Sequence, residues 1–293
     1  MFLSFNARAL GLDLPAERAV ELAAGAGFGG VDLMVRDLVA AGVDPVRLRD
    51  RMDGLGLRGG AFPLPVDWRG DAARFEHDLA RLPDLAAAAA VLGVSRTGTW
   101  VLPETPGPPD DPVIRATTVA LHIERLGRIA RVLAPHGIRL GLEVIGVASS
   151  RSGRGEPFVC RMADLNPVLG AIWNEAPNLG VLVDAFHLYA AGEPVEAGLA
   201  WGVDRIVWVH IADLPPTATG DRAAIRDPDR GLPGEHGAVE SRRLLERLAK
   251  EGYDGPVTAE PLAGCRSLAG LSPEQIARRV AGAVRSIWPS PGS

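Results

Sequence analysis

The sequence predicts an α/β protein, a single (β/α)8 barrel over residues 1–293, and three observations carry the prediction. Short runs of branched and apolar residues alternate eight times with segments of helical periodicity. No linker divides the chain, and its length suits this barrel as one domain although it exceeds the usual domain size. The last four strand-like runs each end in a residue that can bind a metal: Glu143, Asp184, His210 and Glu260. A doubly wound sheet is the alternative, but it leaves those four ends harder to converge.

Taken in order, Phe2-Leu3-Ser4-Phe5 is a short strand, followed by a helix over Pro15 to Phe28. There Ala19, Leu22, Ala23 and Ala26 recur at helical spacing, with proline near the start and Gly27 near the end. Gly30 to Val35 reads as the second strand, and Asp44 to Leu55 as a helix opened by Asp-Pro. Leu57 to Phe62 is the third strand. A helical region spans Asp71 to Leu92, with an interruption or kink expected near Pro83. Ser95 to Leu102 is the fourth strand, and a proline-rich loop leads to a helix over Val113 to Pro135.

The second half repeats the rhythm. The run Arg139 to Glu143 precedes a polar, glycine-rich loop (Ser149 to Glu156) and a helix over Met162 to Glu175. The stretch from Val181 to Asp184 has the composition of a strand buried on both faces of a parallel sheet. A short helix near Pro194 to Trp201 follows, then Arg205 to His210, a long loop from Asp213 to Gly237, a helix over Val239 to Glu251, the strand Pro256 to Glu260 and a closing helix over Pro273 to Ile287.

Hydrophobic residues make up 47% of the chain, ample for a large core. The net charge is −5, and the arginines, 30 against the single Lys250, are scattered, so no basic patch for nucleic acid is expected. Cys160 and Cys265 have neither metal spacing nor the number for a disulfide framework. With no leader and no membrane-length apolar run, a soluble cytoplasmic protein with no membrane partner is expected. Apolar loops point to a homodimer or homotetramer.

In a (β/α)8 barrel all strand C-termini open on one face, so Glu143, Asp184, His210 and Glu260 can converge there. Each alone is more often a strand-end cap or a satisfied core group. Three carboxylates and an imidazole together repel one another unless a divalent cation sits among them. Their mixed oxygen and nitrogen donors suit Mn2+, Zn2+, Co2+ or Mg2+.

Gly141-Leu142-Glu143, Val183-Asp184-Ala185-Phe186-His187, Val209-His210-Ile211-Ala212-Asp213, Leu232-Pro233-Gly234-Glu235 and Ala259-Glu260-Pro261 resemble the xylose-isomerase-like sugar isomerase/epimerase superfamily of TIM barrels. Within it the likeness is to inosose isomerase-type proteins, through the Asp-x-Phe-His and Arg-x-x-Pro-Gly patterns. The resemblance implies one divalent ion, Mn2+ foremost, on Glu143, Asp184, His210 and Glu260. It also implies Glu143 and Glu260 as acid and base on opposite faces of a substrate carbon, and His187 on a substrate oxygen. The expected reaction is isomerisation or epimerisation of a sugar, keto-sugar or keto-cyclitol through an enediolate. The alternative is a lyase on the same scaffold, a dehydratase or an enzyme cleaving a 3-keto-C-glycoside with a small partner subunit. An abasic-site endonuclease would need more histidines than six dispersed ones, and a non-catalytic binding barrel would not need both glutamates.

Four further residues are expected to bind substrate. Arg151, in the loop Ser149 to Gly155, suits anion or polyol oxygens. Arg230 and Glu235 sit in the long loop above the seventh strand, where loops of such length are usually functional. Trp100, at a strand end, offers an apolar wall to a ring. Asp213 is expected to orient His210 or its loop; His236 stands where many relatives have glycine.

Overall fold

The computed structural model describes residues 1–218 and 220–290; the expected domain (1–293) and long loop (213–237) thus each extend onto positions outside the described ones. Nine short strands, all paired in parallel, form one curled sheet. They are β1 (Phe2–Phe5), β2 (Gly30–Val31), β3 (Arg58–Gly59), β4 (Phe62–Pro63), β5 (Arg96–Trp100), β6 (Arg139–Glu143), β7 (Leu179–Asp184), β8 (Ile206–Ile211) and β9 (Pro256–Ala259). Their order is β3-β2-β1-β9-β8-β7-β6-β5-β4.

The two edge strands of that order are neighbours in sequence, being halves of the run read as one third strand. Gly60 still donates its N–H to the Val31 carbonyl (2.8 Å), while Leu64 donates to Gly98 (2.9 Å), so the chain changes partner between them and closes the ring. Glycine is required at the change-over, because a Cβ on Gly60 would collide with Asp32 Oδ1 and Ser4 Oγ. The buried Asp32 carboxylate ties the closure together, accepting from Ser4 Oγ (2.6 Å), Thr258 Oγ1 (2.7 Å) and the Ala61 N–H (2.9 Å). Burial pushes its carboxyl up, against the pull of those bonds.

The helices are α1 (Ala16–Ala26), α2 (Val35–Ala40), α3 (Pro45–Gly54), α4 (Ala72–Val91), α5 (Pro112–Leu133), α6 (Asn166–Ile172), α7 (Ala185–Ala191), α8 (Val195–Gly198), α9 (Ser241–Lys250) and α10 (Pro273–Ile287). Asp44, Asp71, Asp111 and Ser272 cap their helices by accepting first-turn N–H groups. One expectation is corrected, and of the two alternatives at Pro83 one is removed. The second strand stops at Val31 and Val35 opens α2; a short buried apolar run has no periodicity that separates strand from helix. Of the interruption or kink expected at Pro83, the interruption does not occur: α4 continues through it. Buried Phe75, Leu79, Leu82, Leu85 and Ala86 pin both of its halves to the barrel, which outweighs the ~3 kcal/mol that an internal proline costs.

Inside the barrel Ala61, Leu182 and Trp208 form a small apolar cluster. Gly98 leaves room for it, since a Cβ there would lie 2.7 Å from Leu182 and 3.0 Å from Trp208. Trp208 donates its Nε1–H to Thr258 Oγ1 (2.9 Å) and stands edge-on to the His210 ring, 4.5 Å between centroids. Trp208 thus forms the floor beneath His210.

His122, on α5, is fully buried between Trp68 and Phe158, with Nδ1 2.7 Å from the Thr118 carbonyl and Nε2 unpartnered. Burial pushes its imidazole down to about 4, against the Thr118 bond. A group depressed on folding contributes stability that is complete above its unfolded pKa, about 6.5, and is lost as pH falls toward the folded value. Urea midpoints should therefore drop between about pH 7 and 4.5, with about 2–3 kcal/mol of the loss due to this ring. His122→Phe, which keeps the packing, should remove that part of the slope; an unchanged slope would exclude His122 as its source.

Candidate metal centre

Four neighbouring strands deliver one polar side chain each to the C-terminal rim. Glu143 ends β6, Asp184 ends β7 and His210 is the penultimate residue of β8, in register with Asp184. Glu260 follows β9 directly and stays anchored to the sheet through its N–H, which donates to Ile211 (2.8 Å). One ligand-type atom from each of the four lies within 4.8 Å of all the others. The convergence expected of the strand ends is thus present in the fold.

His210 Nδ1 lies 3.4 Å from Glu143 Oε1 and 3.2 Å from Glu260 Oε2. Neither contact has hydrogen-bond geometry, and both nitrogens of the ring are buried without a partner. Burial would push the His210 imidazole down, but the Glu260 and Glu143 carboxylates outweigh it and hold it well above its ordinary value. Burial likewise raises the Glu260 carboxyl, yet His210 and Arg230 bring it below the usual range despite Asp184. A buried imidazole with neither nitrogen hydrogen-bonded, set beside two carboxylates that favour a positive charge there, is a donor set that a shared cation satisfies in place of the proton.

Arg230 is the fixed cation of the site. Its guanidinium, almost wholly buried, donates to Asp184 Oδ2 (2.8 Å), stands 3.5 Å from Glu260 and packs over Phe186. Burial alone would raise the Asp184 carboxyl; the Arg230 guanidinium above all holds it at about 2. With a metal ion in place of the extra proton on His210, the three carboxylates of the cluster against the Arg230 guanidinium leave two negative charges, the complement of a divalent ion. The residues therefore fit such an ion in both donor type and charge.

The chain turns into α7 immediately after Asp184, whose Oδ1 caps that helix by accepting from Phe186 N–H (2.8 Å). His187 consequently sits in the first turn of a helix, buried, with Nε2 3.1 Å from Arg230 Nη2 and 3.9 Å from Asp184. Arg230 can only donate, so His187 Nε2 accepts and Nδ1 carries the proton. Gly146 lets the preceding loop lie against this turn, because a Cβ there would collide with the His187 carbonyl oxygen.

The remaining expected site residues lie further out. Trp100 is exposed at the end of β5, with the Arg69 guanidinium stacked on its ring at 3.8 Å. Arg151 donates to Cys160 Sγ (3.3 Å). Glu235 accepts from Ser267 Oγ (2.6 and 2.8 Å) and thereby ties the loop after β8 to the one after β9. Buried Asp213 accepts from five backbone N–H groups, those of Leu214, His236, Gly237, Ala238 and Val239, so of its two expected roles it fills the loop-holding one. His236 borders a cleft shared with Arg230 and Glu235.

Asp227 was not singled out from the sequence. It accepts from Arg230 Nη2 (2.9 Å) and Nε (3.2 Å) and stands 3.7 Å from His187 Nε2. The available signal was the Asp-Pro-Asp-Arg turn, in which Asp227 is three residues before Arg230. Trp208 and Asp32 were missed too, because nothing in a strand's sequence says which of its faces lines the barrel interior. No described helix is long and apolar enough to cross a membrane.

The family described as xylose isomerase-like TIM barrel matches residues 20–287. An inosose isomerase of Halalkalibacterium halodurans is 26% identical over 135 residues, 46% of this chain and 43% of that protein. One from Bacillus licheniformis is 24% identical over 148 residues, 50% of this chain and 49% of its own. The chain thus spans less than half the length of these curated relatives. A xylose isomerase domain protein from Alicyclobacillus acidocaldarius is 28% identical in sequence and superimposes with a TM-score of 0.80 over 97% of both chains. The IOLI protein, solved with a bound zinc atom, shares the fold at 17% identity, with a TM-score of 0.76 over 98% of both chains.

Proposed function

The chain belongs to the xylose isomerase-like TIM barrel family, and on that footing we propose that it is a divalent-metal-dependent isomerase or epimerase of a sugar, keto-sugar or keto-cyclitol. The observation that carries the proposal is the division of exposure within the four-residue cluster. Asp184 and His210 are closed off (side-chain exposure 0% and 5%), whereas Glu143 and Glu260 keep 13% and 18% open to the barrel mouth. Two buried ligands with two carboxylates that can also meet a substrate suit a site that must hold an ion and move a proton.

Glu143, Asp184, His210 and Glu260 would hold the ion. The zinc in a fold relative supports Zn2+ beside Mn2+ as the occupant. When bound, it would act as a Lewis acid on the negative charge that develops at the substrate oxygens. Glu143 ends β6 and Glu260 follows β9, with β7 and β8 between them, and in this reading the two would flank the substrate carbon. One takes the proton from the carbon beside the carbonyl and the other returns one, inverting that carbon or shifting the carbonyl. His187 and Arg230 would bind substrate oxygens, with Trp100 as a wall; Arg151 and Glu235 would shape the loops around them. The curated inosose isomerases favour a keto-cyclitol as first candidate.

Proton exchange tests this reading. In deuterium oxide with Mn2+ or Zn2+, the protein should wash deuterium into an inosose beside its carbonyl, seen as loss of that proton's NMR signal. If no exchange occurs with an inosose or with a panel of ketoses while the metal is bound, the isomerase reading fails.

A further inference from the structure

A metal-binding imidazole is ordinarily held at its working angle by a hydrogen bond from its other ring nitrogen to a carboxylate or a carbonyl. His210 is held differently: among the described residues no protein group is hydrogen-bonded to either of its nitrogens. Its orientation has to come from packing. The ring set against it is Trp208, edge-on at 4.5 Å between centroids with an interplanar angle of 82°.

The indole is itself held by a chain of hydrogen bonds that can run in one direction only. An indole N–H can only donate, so Trp208 Nε1 gives its proton to Thr258 Oγ1 (2.9 Å). The single hydroxyl proton of Thr258 then goes to its other partner, Asp32 Oδ2 (2.7 Å). Asp32, directly after β2, cannot swing away, because its Oδ1 is fixed by Ser4 Oγ (2.6 Å) and the Ala61 N–H (2.9 Å). Asp32, Thr258, Trp208 and His210 are each no more than 5% exposed, so bulk water does not compete for these bonds. Thr258 is in register with Ser4 on one side and His210 on the other, which sets the chain beside the metal cluster in the barrel.

We propose that Asp32 is a positioning residue of the metal centre: through Thr258 it fixes the Trp208 indole, and the indole fixes the plane of the His210 imidazole. The proposal rests on the reading of Glu143, Asp184, His210 and Glu260 as a metal site, and it gives Asp32 a task beyond closing the barrel. The two tasks use different oxygens. Oδ1, with Ser4 and Ala61, joins β1 to the change-over after β3; Oδ2, with Thr258, reaches Trp208.

Zinc dissociation constants from chelator competition, measured beside urea midpoints of the metal-free protein, separate those tasks. Thr258→Val cuts the Oδ2 arm and should weaken zinc binding about tenfold or more, the usual cost of losing a group that orients a metal-bound imidazole. Thr258→Ser keeps the hydroxyl and should bind zinc as the wild type does. Ser4→Ala cuts the Oδ1 arm and should lower the urea midpoint while leaving zinc affinity unchanged. Trp208→Phe strands no polar group, since Thr258 stays bonded to Asp32; it should weaken zinc binding too, and it carries the test if Thr258→Val does not fold. Unchanged zinc affinity in Thr258→Val or Trp208→Phe, or an equal loss in Ser4→Ala or Thr258→Ser, would overturn the proposal. A wild-type protein that binds no zinc removes the metal-centre reading and the proposal with it, whereas wild-type binding that Thr258→Val and Trp208→Phe leave intact removes the proposal alone. Proton exchange plays no part in this readout, so failure of the isomerase reading leaves it standing.

Discussion

Glu260→Gln is expected to lower turnover at least ~10²-fold, the usual size of a general-base contribution, while leaving the protein folded. Glutamine preserves the shape of the side chain and one oxygen toward His210 Nδ1, now 3.2 Å from Oε2. Its amide cannot accept a proton near neutral pH. His210 and Arg230 hold the native carboxyl below the usual range against burial, so Glu260 enters the reaction ionised, as a base must. The side chain is not a keystone of the core, and the sheet keeps it by its backbone N–H, so circular dichroism should be unchanged. Glu143→Gln should also impair turnover, but the double variant should lose little more than the worse single one, because both residues serve one proton-transfer cycle. Deuterium exchange distinguishes them: the variant lacking the abstracting base loses exchange, and the other retains it. Near-normal turnover of Glu260→Gln with metal bound would sink the two-glutamate account.

The site was legible where chemistry sits on a strand with a strong local signature. Val181 to Asp184 and Arg205 to His210 combine a continuous branched run with a polar end, and parallel topology does the rest by turning all four ends to one face. What the sequence concealed depends on contacts between distant segments. Nothing near Gly60 announces that the third strand changes partner there; the reason is Asp32, 28 residues earlier, which fills the space a side chain would need. The helix after Asp184 was hidden because Ala185 to Leu188 continues the apolar run, and only the cap geometry marks the change. Arg230 was identified by its Pro-Gly motif, but its partner Asp184 is 46 residues away in sequence and appears only when the long loop folds over the rim. Trp208 and Gly98 are a matched pair across the barrel, and neither has meaning without the other.

The central claim, that the four strand-end residues form a divalent metal site, has a second large effect attached to it. With His210 in the neutral form that binds a metal, the cluster carries two negative charges beyond those Arg230 offsets, and neither nitrogen of that imidazole is hydrogen-bonded. A cation that binds only the folded chain stabilises it by mass action, about 2.7 kcal/mol when present at 100 times its dissociation constant. The unfolding transition of the metal-stripped protein should therefore rise on adding Mn2+ or Zn2+. Asp184→Asn combined with His210→Ala should abolish the rise, since two of the four donors are weakened or gone. The most direct measurement is an anomalous difference map from a crystal grown with Zn2+. The account predicts a single strong peak enclosed by Glu143, Asp184, His210 and Glu260. A well-ordered map with no peak there, and with His210 still lying between the two glutamates, would contradict it.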